Sequence, residues 1–318
     1  MANPALIIVL PCYNEEEVLP STHKRLSALM GQMATDGLID GSRSRLLYVD
    51  DGSRDATWSI IEQMAVDSTM VCGVKLAGNC GHQNALMAGL EAAADMGDAT
   101  ITIDADLQDD INVIPAMVRH YSDDGCEVVY GVRRDRSSDT WFKRRTALEF
   151  YKVMRHLGVK SVYNHADFRL MSTRVVRHLC QYRERNLFLR GIVPLMGFRS
   201  ATVSYDRQER TAGVSKYPLS KMVNFAIDGI TSFSIRPVRM VFMMGLVFMV
   251  IALGILIYVL YNHFTGHTAW GWSSIILSIW FAGGCILLGL GIVGEYIGKI
   301  YMEVKDRPRF NVERTIIK

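Results

Sequence analysis

The sequence lacks the cysteine patterns that build metal sites or disulfide frameworks. Its six cysteines are scattered, and no two of them form a Cys-x-x-Cys pair. This scatter argues against a zinc site and against a disulfide-bonded fold, and it fits a reducing compartment. The six are Cys12, Cys72, Cys80, Cys126, Cys180 and Cys285.

The chain also lacks a strong charge of either sign. Its 35 Lys and Arg residues nearly balance 32 Asp and Glu residues, which leaves a net charge of +3, and no dense basic run appears. The composition therefore gives no sign of nucleic-acid binding. We expect no signal peptide, because no basic segment precedes the short apolar run at residues 5–10.

Charge is missing altogether from two long stretches, residues 240–261 and 268–294. Each exceeds the roughly 20 residues needed to cross a bilayer, so we predict two transmembrane helices. Two buried helices of a soluble protein are the alternative, which their length disfavours. Glycines in the second stretch permit close helix contact and favour a homo-oligomer, although relief of backbone polarity is another reason for them.

Positive charges flank the two stretches, whereas residues 262–271 between them contain no Lys or Arg. By the positive-inside rule, both termini and the domain before the first span lie in the cytoplasm. The expected protein is thus multi-pass, with a short external hairpin. The flanking cations are Arg236, Arg239, Lys299, Lys305, Arg307 and Arg309.

Strand-like and helix-like segments alternate before the first span. Such alternation predicts an α/β fold with a doubly wound, mostly parallel sheet. Polar residues follow each strand, so we expect them to meet in one cleft at the carboxyl edge of the sheet. The predicted strands are residues 6–10, 46–49, 71–76 and 99–103. The predicted helices are residues 18 to about 33, a helix that Asp55 or Thr57 caps and that ends at about residue 66, and residues 83–96.

Four segments follow from these patterns. Residues 1–214 form the α/β domain, 215–236 an amphipathic juxtamembrane helix, 237–299 the transmembrane hairpin and 300–318 a cytosolic C-terminal tail. We expect the amphipathic helix to lie among lipid headgroups, with packing on the domain as the alternative.

Three oxygen-bearing side chains occupy alternate positions after the fourth strand. In an extended chain Asp104, Asp106 and Gln108 would point the same way. Oxygen ligands of this kind suit Mg²⁺ or Mn²⁺, which in turn suit a diphosphate. A solvated acidic turn is the alternative, since an isolated Asp-x-Asp is common.

Four short motifs then follow one another along the chain. They are Pro-Cys-Tyr-Asn-Glu-Glu at residues 11–16, Val-Asp-Asp-Gly-Ser at 49–53, Asp-Ala-Asp-Leu-Gln at 104–108 and Ala-Asp-Phe-Arg-Leu-Met at 166–171. Together they resemble the family 2 glycosyltransferases with a GT-A fold. Within that family they most resemble the polyprenyl-phosphate glycosyltransferases, a group that includes the dolichyl-phosphate mannose synthases. The Gly-Val-Ser-Lys-Tyr segment at 213–217 and the two C-terminal spans most resemble the bactoprenol glucosyltransferases of that group.

This resemblance implies an inverting glycosyltransferase at the cytoplasmic face of a bacterial inner membrane. The enzyme would move a sugar from a nucleotide donor onto polyprenyl phosphate for cell-envelope glycosylation, with Mg²⁺ or Mn²⁺ as cofactor. Glucose from UDP-glucose is the first choice of donor. Galactose, N-acetylhexosamine, aminoarabinose and mannose from GDP-mannose are alternatives, because pocket shape rather than a motif selects the hexose.

The resemblance also implies roles for individual residues. Asp51 would bind the base, and Asp167 and Arg169 would lie at the reacting centre. Pro11 as a strand end and Asp50 as a helix cap are alternatives. The nucleotide-sugar set is Pro11, Tyr13, Asn14, Glu15, Asp50, Asp51 and Asp104, the metal set is Asp104, Asp106 and Gln108, and the catalytic set is Asp104, Asp106, Asp167 and Arg169.

The acceptor raises two further expectations. Two phosphate groups must approach one another, so cations must offset their repulsion. Surface charge is the alternative for the arginines of the 133–136 run. A phosphate monoester has a second pKa of about 6, so Asp167 need not act as a base and could orient Arg169 or the sugar. The expected lipid-phosphate ligands are Arg133, Arg136, Arg207, Arg210 and Lys216.

Two rival functions are weaker. A processive polysaccharide synthase usually carries a Gln-x-x-Arg-Trp motif, which this sequence does not contain. A catalytically silent scaffold for lipid-sugar flipping would be expected to have a broken acidic cluster, whereas Asp104, Asp106 and Gln108 are all present.

Overall fold

The computed structural model describes residues 3–133, 165–184, 188–206, 236–265 and 272–317. These residues divide into two compact units. The first contains the described residues up to 206 together with residues 307–317, and the second contains those from 236 to 306. The amphipathic helix predicted at 215–236 lies outside the described residues except for its last position.

One sheet organises the first unit. Its strands are β1 (Leu6–Cys12), β2 (Arg45–Asp50), β3 (Val71–Leu76), β4 (Ala99–Thr102), β5 (Val128–Arg133), β6 (His165–Ser172), β7 (Ser200–Tyr205) and β8 (Val312–Ile316). They lie in the order β7-β5-β6-β4-β1-β2-β3-β8. Strand β6 is antiparallel to β4 and β5, and β8 is antiparallel to β3, whereas the remaining pairs are parallel. The predicted α/β architecture with a mostly parallel sheet is confirmed.

Helices cover both faces of this sheet. They are α1 (Leu19–Thr35), α2 (Thr57–Asp67), α3 (His82–Ala93), α4 (Ile114–Ser122), α5 (Thr173–Cys180) and α6 (Leu189–Leu195). On one face, His23 of α1 lies 3.1 Å from the hydroxyl oxygen of Tyr48. On the other, Gly89 of α3 packs so closely that a Cβ there would lie 2.4 Å from Cγ1 of Val9. Since successive strand residues point to opposite faces, the sheet is doubly wound as predicted.

The antiparallel strand β6 completes the carboxyl edge of the sheet. Thr102 at the end of β4 pairs with Arg169 of β6. The Thr102 hydroxyl donates a 2.5 Å hydrogen bond to the carbonyl oxygen of Asp167. Because β6 runs in the opposite direction, its first half lies where the parallel strands β1, β2 and β4 end. The edge therefore collects side chains from sequence positions more than 150 residues apart, from Cys12 to Asp167.

Two long helices form the second unit, α7 (Arg236–Phe264) and α8 (Trp272–Val304). A Cβ at Gly289 of α8 would lie 3.1 Å from Cγ1 of Val241, so this glycine permits close packing of the two helices. Among the residues that the structure describes, one segment, Phe281–Val304, is long and apolar enough to cross a membrane. A second crossing by α7 stays a prediction. Helix α8 also continues beyond residue 299, where we placed the end of the hairpin.

The C-terminal residues do more than form the tail that we predicted. Strand β8 covers the edge of β3, with Thr315 opposite Val74. The pairing continues beyond the strands, because the Ala77 amide donates to the carbonyl oxygen of Asn311 at 2.9 Å. A sheet edge otherwise presents unpaired backbone groups. The end of the chain is thus part of the first unit.

Deleting residues 312–318 is expected to expose the edge of β3. The loss of several main-chain hydrogen bonds, at about 1 kcal/mol each, should lower the free energy of unfolding by about 2–4 kcal/mol. Hydrogen exchange at residues 71–76 should accelerate, as measured by mass spectrometry. Glu313→Gln is the matched control, because it removes only the ion pair between Lys75 and Glu313. The side chains of Lys75 and Glu313 are 22% and 41% exposed. That pair is worth less than about 1 kcal/mol. Unchanged protection of β3 after the deletion would contradict this role for β8.

Candidate functional site

The loop after β1 is fixed to the loop after β2 by reciprocal hydrogen bonds. Asn14 adopts a φ of 54°, its amide donates to Ser53 Oγ at 3.0 Å, and its Oδ1 accepts from the Arg54 amide at 2.9 Å. The Glu15 amide donates to Thr57 Oγ1 at 2.9 Å. A short polar side chain tolerates this left-handed backbone better than a bulky one. The predicted nucleotide residues Asn14 and Glu15 thus stand on a braced loop.

Pro11 and Tyr13 differ in their surroundings. Pro11 is buried within β1, whereas Tyr13 is 42% exposed just beyond the strand. Pro11 pairs with Val49 of β2, so it belongs to the sheet. An exposed aromatic ring beside a well-ordered loop can stack on a ligand, whereas a buried proline restricts the conformation of the backbone. Their roles at the nucleotide stay predictions.

Asp51 fixes the start of helix α3. Only 3% of the residue is exposed, its Oδ1 accepts from the Cys80 amide at 2.7 Å, and its Oδ2 accepts from the Gly81 amide at 3.0 Å. Burial raises the pKa of this carboxyl group, and the two amide hydrogen bonds oppose that rise. The role in base recognition stays a prediction, and the observed contacts give Asp51 a structural role as well.

Asp50 is fully buried at the end of β2. Its Oδ1 accepts from the Ser53 amide at 3.0 Å, which shapes the turn after the strand. Helix α2 begins after Ala56, and the amide of its first residue, Thr57, donates to Asp55 Oδ1 at 3.1 Å. Burial raises the pKa of Asp50. The helix-cap alternative for Asp50 is therefore wrong, and its contact with a nucleotide stays a prediction.

The acidic motif after β4 forms a turn and does not continue as an extended strand. Strand β4 ends at Thr102, and the Leu107 amide donates to the Asp104 carbonyl oxygen at 3.2 Å. Leu107 has a φ of 45° although it is buried, a conformation that is strained for a branched side chain. The predicted extended conformation of this motif is therefore wrong, because the chain turns before its side chains can alternate.

The turn nevertheless gathers negative charge. Desolvation raises the pKa of Asp104, and the nearby carboxylates of Asp167, Asp109 and Asp106 raise it further, while His82 opposes the rise. Asp104 stays 44% exposed, so it can reach a ligand. The backbone amide of Gln108 also donates to Asp106 Oδ1 at 3.3 Å. The predicted metal ligands thus lie in one turn at the carboxyl edge of the sheet.

The donor chemistry of this turn fits a hard divalent cation. Asp104 and Asp106 offer carboxylate oxygens and Gln108 an amide oxygen, which are ligand types that Mg²⁺ and Mn²⁺ accept. No group of three or more His, Cys, Asp or Glu side chains that could hold an ion occurs among the residues that the structure describes. The predicted set has two such residues, and its third member is a glutamine. The binding of a metal ion by this set stays a prediction.

Asp167 lies buried between two arginines. Its Oδ1 accepts from Arg169 Nη2 at 2.5 Å, and its Oδ2 accepts from Arg190 Nη2 at 2.9 Å. Burial would raise the pKa of Asp167, but Arg190, His82 and Arg169 hold it well below its usual value. This carboxylate is therefore ionised at neutral pH and has little affinity for a proton.

The Arg169 side chain is buried and is not accessible to a ligand. It is 1% exposed, and its Nη1 donates to the Leu189 carbonyl oxygen at 3.1 Å. Our prediction placed Arg169 at the reacting centre, but the side chain lies behind Asp167 in the interior. It can position Asp167 and helix α6, while a direct contact with substrate stays a prediction.

Two residues of this cluster were not anticipated from the sequence. His82 Nε2 lies 3.5 Å from Asp104 Oδ1 and 3.7 Å from Asp167 Oδ2, so it links the acidic turn to β6. Burial would lower the pKa of His82, but the two carboxylates raise it. His82 follows β3 at the carboxyl edge of the sheet. The expectation that polar residues after each strand meet at this edge could therefore have identified it. Arg190 carried no such signal.

Arg133 is the predicted lipid-phosphate ligand that falls within the described residues. Its Nη2 donates to Asp109 Oδ1 at 3.0 Å, and its Nε donates to the Tyr205 hydroxyl at 3.3 Å. The Tyr205 hydroxyl also donates to Asp109 at 2.6 Å. Arg133 thus joins the acidic turn to the ends of β5 and β7, and its contact with phosphate stays a prediction. The other predicted ligands, Arg136, Arg207, Arg210 and Lys216, lie outside the described residues.

Known proteins are similar to this chain over most of its length. A relative described as uncharacterized glycosyltransferase YkoT from Bacillus subtilis is 51% identical and covers 98% of this chain and 92% of its own. The SfII prophage-derived bactoprenol glucosyl transferase of Shigella flexneri is 38% identical and covers 97% of both chains. Among solved structures, glucosyl-3-phosphoglycerate synthase from Mycobacterium tuberculosis with Mn²⁺, UDP and phosphoglyceric acid is 20% identical, covers 72% of this chain and 77% of its own, and has a TM-score of 0.47.

The family itself is shown by a direct match. The model of the family described as Glycosyl transferase family 2 matches residues 7–180. That range begins in β1, ends with α5, and contains all the carboxylates of the site. Together with relatives that match nearly the whole chain, it shows that this protein belongs to glycosyl transferase family 2.

Proposed function

We propose that this protein transfers glucose from UDP-glucose to the phosphate of a polyprenyl lipid, with inversion at the anomeric carbon. The observation that supports it most is the 38% identity to a bactoprenol glucosyl transferase across 97% of both chains. That match includes the C-terminal helices and is not confined to the nucleotide-binding half. A polyprenyl chain stays in the bilayer, so an enzyme that acts on it must work at a membrane surface.

The donor would be held by the braced loops after β1 and β2. Tyr13, with its exposed ring, can stack on the nucleotide. Beside it, the amides of Asn14 and Glu15 donate to side-chain hydroxyls of the next loop and helix. Asp51 would accept a hydrogen bond from the imide N–H of uracil, which discriminates against bases without that donor. Its anchoring by Cys80 and Gly81 would fix the carboxylate for this purpose.

The diphosphate would lie over the turn at Asp104, Asp106 and Gln108, which would hold the divalent cation. When bound, Mg²⁺ or Mn²⁺ acts as a Lewis acid for the negative charge of the leaving diphosphate. The protein's own contribution is the geometry of the turn, held by the Leu107 amide and by Gln108. These contacts fix where the carboxylates stand before the donor arrives.

The acceptor phosphate would attack without a base on the protein. An oxygen of the lipid phosphate forms a bond to the anomeric carbon, while the bond from that carbon to the nucleoside diphosphate breaks. The phosphate is mostly dianionic at neutral pH, with a second pKa of about 6, so no proton has to be removed. Asp167, whose pKa is held well below its usual value, would position its arginines and the sugar.

The proposed location is the cytoplasmic membrane, with two crossings and both termini inside. The segment Phe281–Val304 supports one crossing, and the uncharged residues 240–261 within α7 support the other. The distribution of Lys and Arg supports the orientation.

The direct test uses the full-length protein with radiolabelled nucleotide sugars and undecaprenyl phosphate. Label from UDP-glucose should enter an organic-extractable, acid-labile lipid in the presence of Mg²⁺ or Mn²⁺. UDP-galactose, UDP-N-acetylhexosamines, UDP-aminoarabinose and GDP-mannose serve as parallel donors. Transfer from one of these instead would correct the sugar, while the absence of lipid product with every donor would refute the function.

A further inference from the structure

Two arginines meet the same carboxylate in the cluster around Asp167. One carboxylate faces the guanidinium groups of both Arg169 and Arg190, at 2.5 Å and 2.9 Å. His82 lies 3.7 Å from the same carboxylate. His82 also lies 3.5 Å from Asp104, so carboxylates and cations alternate across this cluster. An arginine at a ligand-facing edge can add a phosphate to such an array, because its planar fork matches phosphate oxygens.

We propose that Arg190 binds the phosphate of the acceptor lipid and that Asp167 positions Arg190 for this contact. This inference rests on the proposed function and names a residue outside the set that the sequence predicted. Arg190 Nε and Nη2 both contact Asp167, at 3.3 Å and 2.9 Å. A guanidinium has five N–H donors in a planar fork, so contact with a carboxylate is compatible with contact with a phosphate.

Exposure separates the two arginines. The Arg169 side chain is 2% exposed, whereas the Arg190 side chain is 34% exposed. Arg169 also donates to the carbonyl oxygen of Leu189, the residue before Arg190. Arg169 therefore neutralises Asp167 from the interior and holds the start of helix α6. Arg190 presents its charge at the surface of the same cluster.

The position of Arg190 also fits the reaction. His82 joins Asp167 to Asp104, with 3.5 Å between His82 Nε2 and Asp104 Oδ1. One imidazole ring thus separates the Arg190 cluster from the turn proposed to hold the donor diphosphate. The acceptor phosphate must approach the anomeric carbon beside that diphosphate. A cation at this point offsets the repulsion between the two anions.

Arg190→Gln is the test variant, with Arg190→Lys beside it and Arg177→Gln as the matched control. Arg177 is a 60% exposed arginine paired with Asp95 on another part of the same unit. Binding of farnesyl phosphate and of UDP is measured separately by calorimetry, and KM is measured for undecaprenyl phosphate and UDP-glucose. Loss of a charge-assisted contact should weaken prenyl-phosphate binding on the order of 10- to 100-fold in Arg190→Gln.

UDP binding and the KM for UDP-glucose should change less than about twofold. Arg190→Lys should recover part of the prenyl-phosphate affinity, because it keeps the charge without the fork, and it replaces Arg190→Gln if that variant does not fold. Unchanged prenyl-phosphate affinity in an active protein, or an equal loss for donor and acceptor, would overturn the inference alone. A wild-type protein that neither binds nor glycosylates prenyl phosphate would overturn the proposed function and this inference together.

Discussion

Asp104→Asn is expected to reduce the turnover of lipid glycosylation by about three orders of magnitude. The departing diphosphate gains negative charge, and removing one preorganised stabilising group of this kind typically costs on the order of 10²–10³ in kcat. Asp104 stands at the start of the turn and would hold the cation that offsets this charge, so the variant would lose the stabilisation that the cation supplies. The measurement is labelled glucose transferred to undecaprenyl phosphate at fixed Mn²⁺, and EDTA should abolish the wild-type rate.

Asp110→Asn is the control for this prediction. Asp110 lies in the same acidic segment, and its Oδ1 accepts from the Asn112 amide at 3.0 Å, where it caps a short helical turn. The same change of charge there should alter kcat by less than about twofold. A fully active Asp104→Asn protein, or wild-type transfer that survives EDTA, would show that the turn does not serve the leaving group.

Local patterns were sufficient to predict the first half of the sheet. Strand β3 at Val71–Leu76 matches the predicted residues 71–76, and β1, β2 and β4 differ only at their ends. Apolar runs bounded by polar turns specify such strands whatever lies elsewhere in the chain. The carboxyl-edge rule then placed Asp51, Asp104 and the loop after β1 in one region, as the structure shows.

The rest of the site depends on contacts between distant parts of the chain. Antiparallel β6 brings Asp167 beside Thr102, and no local pattern specifies that pairing. Arg190 follows Leu189, whose carbonyl oxygen accepts from Arg169 and whose amide donates to Gln83 Oε1 at 3.2 Å, so distant residues hold the start of its helix. The left-handed Leu107 is likewise a product of tertiary packing, since its sequence alone disfavours that conformation.

Asp167→Asn is expected to lower the stability of the first unit as well as the turnover of the reaction. Arg169 is fully buried, and removing its carboxylate partner leaves an uncompensated charge, which costs about 3–5 kcal/mol of unfolding free energy. Because the folded pKa of Asp167 lies below 3.8, this stabilisation is fully present above about pH 3.8 and is lost as the pH falls toward the folded pKa. The difference between wild type and variant in chemical denaturation should therefore shrink in acid.

Asp95→Asn is the control for the stability measurement. Asp95 pairs with Arg177 at 2.9 Å, but their side chains are 85% and 60% exposed. An exposed pair of this kind contributes less than about 1 kcal/mol, so the control should unfold like the wild type. Equal stability of Asp167→Asn and wild type would mean that the Asp167–Arg169 contact is not formed in solution.

The pH dependence of Asp167→Asn separates positioning from base catalysis. If Asp167 positions Arg190 and the sugar, the variant should lose most of its turnover at every pH, since the acceptor phosphate is already a dianion above a pH of about 6. Wild-type activity should fall as the pH drops through that value, because the attacking oxygen becomes protonated. If Asp167 instead removed a proton, the variant alone would regain activity as the pH rises. We expect parallel profiles for the two proteins, because a carboxylate held between Arg169 and Arg190 is a weak base and a strong anchor for both guanidinium groups.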